Sequence, residues 1–164
     1  LAEMTKYVFL SRERNTQVDS NIYIVPAAVS NQNSIASFSV AARGRASNAL
    51  ASVGGRSQMG GVRERQYVPT LTLDTVLESF SSPDFIKIDV EGAECMVIQG
   101  ATRIFSEIRP IFYIEVGKES SAQISDIFKQ SDYCIFDREG KALLEPSAKD
   151  NNIFFVPKEI AKAW

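Results

Sequence analysis

Pro83-Asp84-Phe85-Ile86-Lys87-Ile88-Asp89-Val90-Glu91-Gly92-Ala93-Glu94 reads as a strand that runs into a helix. Pro83-Asp84 punctuates its start, Phe85 to Val90 is apolar and β-branched in character, and Gly92 permits the turn that opens the next helix. Alternation sets Ile86, Ile88 and Val90 on one face and Phe85, Lys87, Asp89 and Glu91 on the other. A strand buried on both faces is almost purely apolar, so the charges gathered at the carboxyl end of one face stand out. In open α/β sheets that end is where ligands bind.

Working outward, Tyr67 to Thr72 is extended, and Asp74 is placed as the N-cap of a helix carrying Val76, Leu77 and Phe80 on one side. Downstream, Gly92 to Ile108 has a helical stripe of Ala93, Met96, Val97, Ala101, Ile104 and Phe105, with Gly100 as a break point and Arg109-Pro110 as the stop. Pro110 to Gly117 is a second buried strand with an acid, Glu115, at its carboxyl end. A helix follows from Ser120 or Ser121 to Gln130, with Ile124, Ile127 and Phe128 inward. Tyr133 to Phe136, turned by Asp137-Arg138-Glu139-Gly140, and Ile153 to Val156 close the chain as strands. Upstream, Leu1, Met4, Val8 and Phe9 give a helix over Leu1 to Arg14. Asn21 to Val29 gives a strand through Ile22-Tyr23-Ile24-Val25, and Ile35 to Val40 gives another. The strand–helix alternation predicts one α/β domain over residues 1–164, its sheet mostly parallel with an antiparallel edge. Residues 41–66, rich in glycine and arginine, are expected to be a flexible insertion. Two readings of it stand open: a flap that meets an anionic or sugar-like substrate, and a solvated surface loop.

At 164 residues, with 45% hydrophobic and 23% charged residues, the chain has the size and composition of a single globular domain. A net charge of −2 without like-charge blocks gives no reason to expect nucleic acid or an anionic membrane as partner. No stretch reaches the roughly 18 apolar residues of a membrane span, and no signal-peptide layout is visible, so a cytoplasmic location is expected. Cys95 and Cys134 fit no metal spacing and are expected to be buried free thiols; no metal site is expected. The absence of histidine removes Ser-His-Asp and Cys-His catalysis, leaving acid–base work to Asp, Glu, Lys, Tyr or Cys.

Asp84-Phe85-Ile86-Lys87-Ile88-Asp89-Val90-Glu91-Gly92-Ala93-Glu94, with Val97-Ile98, Gly100-Ala101, Arg109-Pro110 and Glu115, closely resembles the signature of the FkbM-type methyltransferases. The likeness extends more loosely from about Asn21 to Val156. It implies a Rossmann-like class I methyltransferase sheet, S-adenosylmethionine as cofactor, and a small-molecule or sugar-like acceptor methylated on oxygen. In that resemblance Asp89, Glu115 and Glu91 carry the catalysis, and Ala28, Val29 and Asp89 approach the cofactor. The glycine-rich turn after the family's first strand has no counterpart in this sequence. The resemblance therefore implies a sheet lacking its first two strands, with Ile22-Val25 and Phe85-Val90 on either side of the gap. Either residues upstream of Leu1 fill that gap, or the open edges pair with another copy of the chain. Methyl transfer to a hydroxyl needs positioning and a base for the proton, which Asp89 and Glu115 suit if their strands are neighbours.

Each of these residues also has a plainer reading. Asp89 could brace the turn at Gly92, Glu91 and Glu94 suit a helix start, and Lys87 is expected to pair with Asp89. Asp89-Val90-Glu91 also resembles a D-x-D metal clamp, which would make a glycosyltransferase. A further alternative is a non-catalytic domain that binds a partner through the Arg/Gly insertion.

Overall fold

The computed structural model describes residues 22–42, 49–50, 52, 61–117, 120–146 and 152–164. Its strands are β1 (Ala28–Val29), β2 (Ser34–Ala41), β3 (Ala49–Leu50), β4 (Val62–Leu71), β5 (Phe85–Ile88), β6 (Ile111–Glu115), β7 (Tyr133–Phe136), β8 (Ala142–Leu143) and β9 (Asn152–Pro157). Helices α1 (Leu73–Leu77), α2 (Glu94–Gln99) and α3 (Ser121–Gln130) join a π-helical turn at Ile104–Ile108. The helix expected over Leu1 to Arg14, and most of the insertion 41–66, lie outside the described residues.

β5, β6, β9, β7 and β8 make one sheet in that order, with β5 parallel to β6 and the later pairings antiparallel. Alternation puts Ile88, Phe112, Ile114, Ile135, Ile153 and Phe155 on one face. Against that face pack α2, the π-helical turn and α3, whose Ile124 and Phe128 recur four apart on a single stripe. The rings of Phe112 and Phe128 meet edge-on at 5.0 Å, and Phe128 stacks on Phe155 at 3.9 Å. The opposite face carries a second aromatic run, with Tyr113 stacked on Phe154 at 4.3 Å and Phe154 against Trp164 at 5.3 Å. Arg109 closes the helical side. It sits in the left-handed region at φ 53°. Its guanidinium donates to Glu159 and to the carbonyls of Ser131 and Asp132 while lying 5.0 Å from the Tyr133 ring centroid.

Several expectations are corrected. The pairings among the described residues are mostly antiparallel, because β9 inserts between β6 and β7 running against both. Ile22 to Val25 is not a strand. Tyr23 is 70% exposed and no strand among the described residues pairs with this stretch, so its β structure among the described residues is confined to Ala28–Val29. β1, β4, β2 and β3 form a separate four-stranded sheet, built on the long antiparallel pairing of β2 with β4. β4 begins at Val62, so strand structure reaches into the stretch expected to be insertion.

The N-cap of α1 is Thr72, whose hydroxyl accepts from the Thr75 N–H at 3.1 Å. Asp74 instead accepts from the backbone N–H of Arg103 and Ile104, capping the segment that leads into the π-helical turn. Gly100 does interrupt the long helix. A Cβ there would lie 2.3 Å from the Ser30 carbonyl oxygen, so the close approach of the two chain segments requires glycine. Cys95 and Cys134 are free but only partly buried.

Candidate functional site

β5 stops at Ile88, one residue before Asp89, and its parallel register with β6 pairs Ile88 with Ile114. Asp89 and Glu115 are the residues that follow this last pair along the two chains. Glu115 in turn lies opposite Asn152 of β9. Lys87, on the same face as Tyr113, extends its ammonium to 3.5 Å from Asp89 Oδ2 and 3.5 Å from Asn152 Oδ1. It lies 5.2 Å from the Tyr113 ring centroid. The expected Lys87–Asp89 pair is therefore present, and with side chains 39% and 48% exposed it orients the carboxylate more than it stabilises the fold.

The turn after Asp89 is strained. Glu91 has φ 52° and Gly92 φ 102°, two successive left-handed residues of which only the second is glycine. Such strain persists only where the surroundings enforce it. Here Glu94, buried to 1% exposure, folds its carboxylate back so that Oε1 accepts from the Gly92 N–H at 2.8 Å. Its place in the first turn of α2 also suits a negative charge. Glu94 thus acts as the brace that the sequence offered as the plain role for Asp89, while Asp89 pairs with Lys87.

The second sheet meets this turn directly. Ala36 and Phe38 of β2, Val68 of β4 and Leu50 of β3 pack with Val90 and Ala93. Ala28 joins the same cluster, whereas Val29 packs against the main core. Ala28 and the Asp89–Ala93 turn are therefore brought together from different sheets, while Val29 turns away. Sequence reasoning missed Asn152 and Tyr113, which complete the surroundings of Lys87. Tyr113 follows from alternation once β5 and β6 are known to pair. Asn152 comes from 65 residues further along the chain and leaves no local sign.

Among the described residues no group of three or more acids, histidines or cysteines gathers to hold a metal. No helix of the described residues is long and apolar enough to cross a membrane. Among the described residues no strand end carries the glycine-rich turn that a cofactor cradle of this kind uses. What they show is the Lys87 ammonium held between the Asp89 carboxylate and the Asn152 amide oxygen at the end of β5.

The fold is similar to that of the methyltransferase FkbM from Methylobacillus flagellatus KT, a solved structure that superposes with a TM-score of 0.58 at 17% sequence identity. The match covers 92% of this chain and 33% of that one, so the chain spans about a third of that protein's length. No curated protein matches the sequence. The sequence model of the methyltransferase FkbM domain matches residues 5–135, a span that holds β5, the strained turn, α2 and β6. The chain belongs to the FkbM methyltransferase domain family.

Proposed function

We propose that this domain serves S-adenosylmethionine-dependent methyl transfer to an oxygen of a small or carbohydrate-like acceptor. The observation that carries the reading is the parallel pairing of β5 with β6, whose register, continued one residue past Ile88 and Ile114, leads to Asp89 and Glu115 near the carboxyl ends of the two strands. The order β5-β6-β9-β7, with β9 antiparallel to both its neighbours, supports a Rossmann-like methyltransferase sheet. The free edge of β5, unpaired among the described residues, is where strands bearing the glycine-rich cofactor turn fit.

The described residues then form the acceptor side of the site. Asp89 takes the proton of the acceptor hydroxyl as its oxygen becomes the nucleophile. Lys87, itself donating to Asn152, holds that carboxylate in place, and Glu115 positions the acceptor by accepting a second hydroxyl hydrogen bond. Glu91, on the strained turn, is the third acid of this reading. The bound cofactor supplies the methyl group. Family membership does not favour the glycosyltransferase alternative.

Calorimetric titration separates the two. The reading expects heat on adding S-adenosylhomocysteine and none on adding a UDP-sugar with Mn²⁺. The reverse pattern overturns it.

A further inference from the structure

At the edge of the main sheet furthest from β5, the surface has an open groove of about 570 Å³. That volume lies within the range of small-molecule sites. The groove lies where β8 pairs with Ile135 and Phe136 and, among the described residues, no strand covers the outer side of the first half of β7. Its floor is apolar, with Ile135, Phe136, Leu143 and Ala161 among the lining, and Leu144 beside them is 92% exposed.

Three lysines rim the groove. Lys129 lies 3.8 Å from Glu145 and Lys158 lies 3.5 Å from Asp132, both loose surface pairs. Lys162 has no acidic partner among the described residues. Glu159 is already held by Arg109. Tyr133 also lines the groove.

From an apolar floor under a cationic rim, we infer that this groove binds a single-chain fatty acid. The alkyl chain lies along Ile135, Leu143 and Leu144, and the carboxylate meets Lys158 and Lys162. The apolar floor supplies affinity in proportion to chain length, and the lysines supply the preference for an anion. This site is separate from Asp89 and does not depend on the chemistry proposed there.

The test is a titration of the full chain with dodecanoate, followed by methyl resonances. Dodecyltrimethylammonium, with the same chain and opposite charge, is run in parallel. The inference expects saturable shifts confined to Ile135, Leu143, Leu144 and Ala161, with the cationic analogue weaker by about tenfold or more. The exposed double variant Lys158→Glu/Lys162→Glu is expected to weaken dodecanoate by a similar factor, and Leu144→Asp to weaken it without loss of fold. Asp89→Asn leaves it unchanged. Equal binding of the two amphiphiles, undiminished binding by the double variant, or shifts spread over other apolar surfaces would each overturn the inference.

Discussion

Replacing Arg109 by methionine keeps the aliphatic stem and deletes the guanidinium, and the structure gives the size of the loss. Arg109 holds the carbonyls of Ser131 at 3.0 Å and Asp132 at 3.2 Å, tying the end of α3 to the π-helical turn. It lies over the ring of Tyr133 and donates to both oxygens of Glu159, at 2.6 and 2.9 Å. Its side chain is 26% exposed and that of Glu159 53%, so the ion pair is discounted for screening, while the carbonyl bonds and ring contact count more fully. Together these put the loss at about 2–4 kcal/mol. For a chain of this size that is a Tm drop on the order of 10 °C.

Urea unfolding followed by the fluorescence of Trp164, which packs on Phe154, reads it directly. Glu159→Gln should cost much less, under about 1 kcal/mol, because it removes only the exposed pair. The hydrogen bond from Arg109 is the main cause that holds the Glu159 carboxyl down at about 2, from an ordinary 4.5. Its contribution is therefore complete above pH 4.5 and disappears as the pH falls toward 2, so wild type and Glu159→Gln converge over that window. If Arg109→Met loses under about 0.5 kcal/mol, or Glu159→Gln loses as much as Arg109→Met, the account of this clasp is wrong.

Three further outcomes follow from single contacts. Asp74→Ala strips the acceptor from the Arg103 and Ile104 amides and should cost about 1–2 kcal/mol by thermal unfolding, with Asp74→Asn recovering part; an unchanged Tm would return Asp74 to a surface role. Gly100→Ala forces a Cβ to 2.3 Å from the Ser30 carbonyl, so backbone must move and about 1–3 kcal/mol is lost; a variant as stable as wild type means the two segments are not in contact. Burial, and then the nearby Glu94, raise the Cys95 thiol above its ordinary value. In a Cys134→Ser background Cys95 should therefore alkylate more slowly at pH 8 than a free thiol, and faster reaction would contradict that.

Much of the fold could be read locally. The strand at Phe85, the turn at Gly92 and the stripe of α3 are set by residues next to one another, and they stand where the pattern put them. The failures lie where the deciding partner is distant. Ile22-Tyr23-Ile24-Val25 has the composition of a strand, but β structure needs a neighbour, and those side chains stand largely in solvent. Thr72 and Asp74 are both cap-forming types two residues apart, and only the arrival of Arg103 and Ile104 decides which amides Asp74 serves.

β2 and the second half of β4 are visible as extended segments. Nothing local said that they would pair with each other in a sheet of their own. At the site, the Lys87–Asp89 pair followed from alternation along one strand. The bracing of the turn by Glu94 did not, because a buried carboxylate aimed at Gly92 has the same sequence as one facing water.

Transfer of a labelled methyl group from S-adenosylmethionine to a hydroxyl, followed by mass spectrometry over a panel of sugar-like and small acceptors, tests the proposed chemistry most directly. The account predicts label on oxygen of an acceptor, and a fall of about 10²-fold or more in rate for Asp89→Asn with folding retained. No labelled acceptor with the wild-type protein, or an Asp89→Asn rate equal to wild type, would contradict it.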